Sequence, residues 1–350
     1  MERNENISIR NIYHMLSYAY QTLHLSEYKD VGSESFEHVK DLYAEILLIG
    51  IPVLIRGGLL KDYVCFEEAS NVVKGKIDLN ATIKKNALVN KKLIVVYDEF
   101  SEDILFNQII KATLVYLARS SHIHKHTRRA FHGLLPYFSE VSDVELKLSL
   151  WSLIQYNRQN IRYQFVLDVC RYLYEELLLD ESSTSESMRQ VQDEQRLAAL
   201  YEKFVFAFYK RETSYHVSSP QFRWKVDDEY YDALPIMRTD VVLKKGDQTL
   251  IIDTKFYTDN MVARFEGGAA KQKTGNLYQI FSYVMNWERT SENESVGGML
   301  LYAKTNALHQ PNHTYSMMGN QISVVSLDLN QEFGGIKEEL IGFAVRFFDE

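Results

Sequence analysis

The sequence predicts a two-part chain of the α+β and α/β classes. Residues 1–180 read as a helical domain with a small β insertion, and residues 190–350 as a mixed sheet flanked by helices. Three observations lead there. Apolar residues recur at helical spacing through much of the first 180 positions. A polar, Ser-rich stretch from Asp180 to Ser187 then interrupts the pattern. Beyond it, short β-type runs alternate with helical ones, as in layered α/β architectures.

In chain order, Ile9, Ile12, Tyr13, Leu16 and Ala19 fall on one helix face, with Ser8 as its N-cap. A second helix is expected from about Phe36 to Leu48, with Pro52 and Gly57-Gly58 as breakers just beyond it. Tyr63–Phe66, Val72-Val73, Lys76–Leu79 and Leu93–Tyr97 are short β-type runs between charged turns. Helical periodicity returns at about 102–119 and 161–179. The second half opens with a helix at about 192–211. Phe222, Trp224 and Val226 then alternate with cations as a half-buried strand. Strands are expected at Thr239–Lys244, Thr249–Tyr257, Gly298–Ala303 and Ile322–Leu327, with helices at about 276–287 and 335–348.

Composition narrows the function classes. With 46% hydrophobic and 25% charged residues the chain is neither disordered nor fibrous. Its two cysteines, Cys65 and Cys170, are far apart, so a disulfide framework and a cysteine-based zinc site are not expected. No apolar run reaches the roughly 18 residues of a membrane span, and the N-terminus lacks signal-peptide character. A cytoplasmic, membrane-free protein is expected. A net charge of −8 makes the chain a poor stand-alone DNA binder, despite a weak positive excess in residues 51–150. Any tight grip on DNA needs a partner.

The segment richest in chemistry is Arg238–Tyr257. Two β-type runs flank Gly246-Asp247, a two-residue hairpin signal. That turn pairs Lys245 with Gln248 and, counting back along both strands, Asp240 with Asp253. Facing Cβ atoms lie about 4.5–5.5 Å apart, and like charges so placed destabilise a sheet. A hard divalent cation, Mg²⁺ or Mn²⁺, turns the repulsion into attraction. Lys255 leaves the same face two residues on. There it would orient or help deprotonate a water, or neutralise charge developing on phosphorus. A chance Asp-x-Lys is the bland alternative. The apolar run Leu250–Ile252 delivering an acid to a strand end argues for function.

Other features carry less. Ser121–Arg129 has alternating histidines and reads as a solvated loop in preference to a metal site. Gly75-Lys76 lacks the remainder of a P-loop. No Gly-x-Ser-x-Gly nucleophile elbow occurs.

The Asp240, Asp253-Thr254-Lys255 segment resembles the PD-(D/E)xK nuclease superfamily, with Thr239 where the motif's name has proline. The resemblance implies a restriction-endonuclease-like fold, metal ligation by Asp240 and Asp253, a catalytic Lys255 and a contribution from the Thr254 carbonyl. Gln279 and Tyr283, at i and i+4 on the following helix, are similar to the Q-x-x-x-Y element of RecB-like nucleases, which helps place the DNA strand. Glu202 is a candidate further acid or an exposed charge. The loop Gly267–Gly275 is a phosphate-approaching segment or a surface loop.

Over nearly the whole chain the sequence resembles the McrC family, nuclease subunits of McrBC restriction systems. The resemblance rests on Ile9–Tyr20, Gly75–Asp78, Asp98–Phe100 with Asn107–Lys111, and the nuclease block. It implies an endodeoxyribonuclease that acts on double-stranded DNA containing 5-methylcytosine. It also implies a partner, an McrB-like AAA+ GTPase ring that the N-terminal part enters and stimulates. Two alternatives stay open: a non-catalytic subunit that activates the GTPase ring, and a stand-alone RecB-like repair nuclease.

Overall fold

The computed structural model describes residues 7–20, 36, 38–181, 186–228, 230–257, 260–262, 271–289, 294–307 and 309–349. The elements are α1 (Ile9–Ala19), α2 (Val39–Arg56), β1 (Asp62–Ser70), β2 (Lys76–Ile77), α3 (Leu79–Lys84), β3 (Leu93–Ser101), α4 (Leu105–Arg119), α5 (Lys125–Leu134) and α6 (Gln164–Glu181). They continue with α7 (Glu186–Glu212), β4 (His216–Ser218), β5 (Gln221–Phe222), β6 (Met237–Arg238), β7 (Val241–Lys245), β8 (Gln248–Lys255), β9 (Met261–Val262) and β10 (Lys271–Gln272). The last are α8 (Thr274–Asn286), β11 (Ser295–Ala303), β12 (His313–Met317), β13 (Asn320–Leu327) and α9 (Phe333–Phe348).

The chain divides into two units, one of residues 38–183 and one of residues 1–37 with 184–350. The N-terminal helix therefore groups with the C-terminal half and not with the first 180 residues, as the sequence had suggested. The reason is a set of long-range bonds that periodicity cannot reveal. The Asn11 amide, buried on α1, donates to the carbonyls of Leu329 and Gln331 at 2.8 Å each. The Tyr18 hydroxyl donates to Glu212 at 2.6 Å, and its ring packs on Phe204 and Phe208 of α7. His14 stacks on Phe333 at 4.3 Å.

Residues 38–183 are helical around a three-stranded sheet of order β1-β3-β2. Helix α2 runs through Pro52 and ends at Gly57, beyond the expected stop. A mid-helix proline costs roughly 3 kcal/mol. The buried Leu42, Tyr43, Ile46, Leu47, Ile51 and Leu54 outweigh it, at about 1.5–3 kcal/mol for each large side chain. The Lys76–Leu79 run is only partly strand: Asp78 caps α3, accepting from the Ala81 amide at 2.8 Å. The histidine-rich stretch is helical from Lys125, anchored by the buried Phe131.

The second unit holds a six-stranded mixed sheet of order β12-β13-β11-β8-β7-β4. β11 runs parallel to β8 and β13, and the other pairs are antiparallel. Neighbouring glycines of β11 define its two faces. A Cβ on Gly297 would strike Phe347 of α9, and one on Gly298 would lie 2.7 Å from Ile280 and 2.9 Å from Val284 of α8. So α8 and α9 cover opposite faces. Helix α7 joins α9, with the Tyr209 hydroxyl donating to the Leu340 carbonyl at 2.8 Å. The α8 face is closed by Val242, Ile251, Ile280, Val284, Leu300, Ile322 and Val324. The expected strand at 222–226 is short, because the Lys225 amide bonds the Asn286 side chain at 2.7 Å and not a neighbouring strand.

Gly298 sets how closely α8 approaches the sheet. Gly298→Ala is expected to cost about 1–3 kcal/mol by overpacking, read as a lower urea midpoint with an unchanged slope.

Candidate functional site

The hairpin forms in the expected register. β7 pairs with β8 from Lys245↔Gln248 to Val241↔Ile252, and Gly246 takes a φ of +57° at the first turn position, where glycine is favoured. The next step back reaches Asp240 and Asp253. Asp240 stands just outside the ladder. Its Oδ2 accepts from the Thr254 amide at 2.7 Å and the Thr254 hydroxyl at 2.8 Å, so the side chain caps the strand next to Asp253.

Asp253 ends the apolar run Leu250–Ile252 and is only 1% exposed. It is two residues beyond Ile251 and so shares its sheet face, the one covered by α8. Burial raises its carboxyl to about 6, the Lys255 charge working against this and the Asp240 and Glu202 charges adding to it. The Lys255 ammonium lies 2.5 Å from Asp253 Oδ2. Charge attraction and a hydrogen bond from the lysine both join the pair. The Lys255 pKa is raised: desolvation opposes the charge, and Asp253 more than compensates.

Helix α8 completes the arrangement. Lys255 also donates to Gln279 Oε1 at 3.0 Å, and Gln279 Nε2 donates to the Tyr283 hydroxyl at 2.9 Å. Asp253, Lys255, Gln279 and Tyr283 thus form one connected group, and Asp240 is held next to it on Thr254. Burial, followed by the Asp253 and Asp240 charges, raises the Tyr283 phenol, while its bond from Gln279 works the other way. One turn earlier Asn276 donates to the Tyr302 hydroxyl at 2.8 Å, a role that the sequence alone did not single out. Lys273 sits over the Tyr257 ring at 3.7 Å.

Glu202 on α7 is exposed as a residue, yet its carboxyl pKa is raised, by desolvation first and then by Asp240. It shares the electrostatic neighbourhood of the two aspartates. Among the described residues no group of three or more His, Cys, Asp or Glu side chains is arranged to hold a metal. A two-carboxylate set still suits Mg²⁺, which keeps several waters and takes ligands from substrate phosphates. The buried, anionic Asp253 Oδ2, met by the Lys255 ammonium, is an oxygen of the kind such a cation takes. Gly267–Ala270 of the glycine-rich loop lie outside the described residues. No described helix is long and apolar enough to cross a membrane.

Comparison with known proteins places these residues in a wider context. The family model described as McrBC 5-methylcytosine restriction system component matches residues 1–303. The type IV methyl-directed restriction enzyme EcoKMcrBC of Escherichia coli K12 is 29% identical over 352 residues, covering 98% of each chain. A solved assembly of Thermococcus gammatolerans McrB AAA+ hexamers with bound McrC contains a chain 15% identical, with a TM-score of 0.47 over 96% of this chain and 76% of that one. A second match, to the McrBC complex of the same organism, has 17% identity and a TM-score of 0.36 over 51% and 60% of the two chains.

The raised Asp253 carboxyl makes a signed prediction. Between its usual value of 3.8 and about 6 the folded chain binds a proton that the unfolded chain does not. Its contribution to stability therefore falls as pH rises through that window and is fully lost above it, by about 3 kcal/mol for two units. In EDTA, Asp253→Asn is expected to gain about 2–3 kcal/mol on the unaltered chain between pH 4 and pH 7. Urea unfolding at the two pH values checks this. A constant offset contradicts it.

Proposed function

This chain belongs to the family of McrBC 5-methylcytosine restriction system components, and from that premise we propose that it is the DNA-cutting subunit, an Mg²⁺-dependent endodeoxyribonuclease. The observation that carries this reading is the connected group of Asp253, Lys255, Gln279 and Tyr283, with Asp240 held next to it on Thr254.

Asp240 and Asp253 would hold the cation, with Glu202 close enough to add negative charge. The bound cation supplies Lewis-acid polarisation of the scissile phosphate and a supply of activated water. The chain's own residues do the positioning. Asp240 is fixed by two bonds from Thr254, so its free oxygen is aimed without rotamer loss. The pairing with Asp253 keeps Lys255 an ammonium, which suits it to neutralising charge on phosphorus and not to removing a proton. Gln279 fixes the lysine and is itself fixed by Tyr283.

The partner is an McrB-like AAA+ GTPase ring that holds double-stranded DNA carrying modified cytosine, consistent with the −8 charge of this chain. Residues 38–183 support a docking role. On α3 and the segment that follows it, Leu79, Ile83, Leu88 and Val89 are exposed, Val89 by 82%, and Val72 is exposed between β1 and β2. Apolar groups concentrated in this way mark an interaction surface.

The deciding experiment is plasmid cleavage by the reconstituted complex on methylated DNA. Asp240→Asn is expected to lower cleavage at least about hundredfold, with GTPase stimulation retained. Intact cleavage would favour a purely regulatory subunit. Cutting by the chain with Mg²⁺ alone would favour a stand-alone nuclease. Val89→Asp should do the reverse of Asp240→Asn, weakening GTPase stimulation while stability changes by under about 0.5 kcal/mol.

A further inference from the structure

Gln279 and Tyr283 also line a second feature. A cavity of about 330 Å³ opens beside them, walled by Trp224, Ile236 and Met237 and by Gly275 and Tyr278 of α8. It adjoins the carboxylate centre through one shared residue, Gln279, whose Oε1 accepts from Lys255. The walls are aromatic and aliphatic. The Trp224 indole N–H is committed to the Pro235 carbonyl at 2.8 Å, so this ring offers an apolar surface in a fixed orientation. Tyr278 is 69% exposed, an unusual placement for a large ring.

We propose that this cavity takes one nucleobase of the DNA strand that crosses the Asp240–Asp253 centre, stacked on Trp224 and Tyr278. The inference rests on the nuclease reading and adds a positioning site to it. Two observations favour a base over other occupants. A peptide brings a backbone amide and carbonyl at every residue, and the lining offers few polar partners beyond Gln279 and Ser282. A base brings a flat π-face with polar atoms only at its edge, and stacking of this kind tolerates any sequence. A base held here anchors its nucleotide one hydrogen bond away from Lys255. Trp224 and Tyr278 are thus positioning residues and not catalytic ones.

The test is fluorescence anisotropy of the full chain in EDTA at low salt, with a labelled thymidine octamer and an abasic octamer of equal length and charge. The octamer with bases is expected to bind about tenfold tighter, in line with stacking on aromatic residues. Trp224→Ala should erase that difference by removing the platform. Gly275→Leu should erase it by filling the cavity, since a Cβ at Gly275 meets nothing within 4 Å. Trp224→Phe should restore most of it. Equal or absent binding of the two octamers overturns the proposal, as does a base-dependent affinity that neither variant alters. Self-association abolished by Gly275→Leu, without base dependence, assigns the cavity to a second copy and also overturns it. Because no cleavage occurs in EDTA, the two readings separate. If Asp240→Asn complexes still cut DNA, the nuclease assignment fails whatever the octamers do. If they do not cut and the octamers bind alike, only the cavity assignment fails.

Discussion

A carboxylate buried at the end of an apolar strand governs the second unit. Asp253 follows three buried aliphatic residues and lies beside β11, so it has little access to solvent. Ionising it there is costly unless a cation stands close. Lys255, two residues on and on the same face, supplies that charge. The surrounding geometry maintains the pair. Asp240 closes the hairpin beyond its last ladder bond, and Gly298 lets α8 approach until Gln279 reaches the lysine. A divalent cation would compete with Lys255 for the same oxygen, leaving the ammonium to pair with another anion. A substrate phosphate is such an anion, in keeping with the chemistry proposed above.

How legible this was in the sequence depends on the range of each interaction. The hairpin register was readable because a two-residue turn fixes it locally, and Gly246 supplies the positive φ that the turn needs. The Gln279–Tyr283 pair was readable from helical spacing. Interactions between distant segments were not. Nothing in the local pattern around Asp240 announces its two bonds from Thr254, and nothing around Glu202 shows that it shares a field with the aspartates. The Phe222–Val226 alternation looked like a strand because period two reports only which side chains are half-buried. It does not say where the backbone amides go, and one of them goes to Asn286. In α2 the proline was over-weighted, because the burial that outweighs it becomes visible only in the packed unit.

The grouping of α1 with the C-terminal half changes what a division of this chain means. A boundary near residue 180 follows the composition, yet a cut there would separate Asn11 from the carbonyls of Leu329 and Gln331. It would also strip Tyr18 from Phe204 and Phe208. The buried Leu329 carbonyl would lose its donor, at about 1–3 kcal/mol, the part-buried Gln331 carbonyl would lose the same donor, and an aromatic surface on α7 would meet water. Residues 38–183 are therefore better understood as an insertion between α1 and α7 than as the body of an N-terminal domain. In that arrangement the segment Ile9–Tyr20, which carried much of the family likeness, owes its residue choice to packing within the unit that holds Asp240 and Asp253. Asn11 is the clearest instance. Its two donor bonds, to groups more than 300 positions away, require an amide. An apolar residue of similar size would satisfy the periodicity of α1 equally well and leave those carbonyls unpaired.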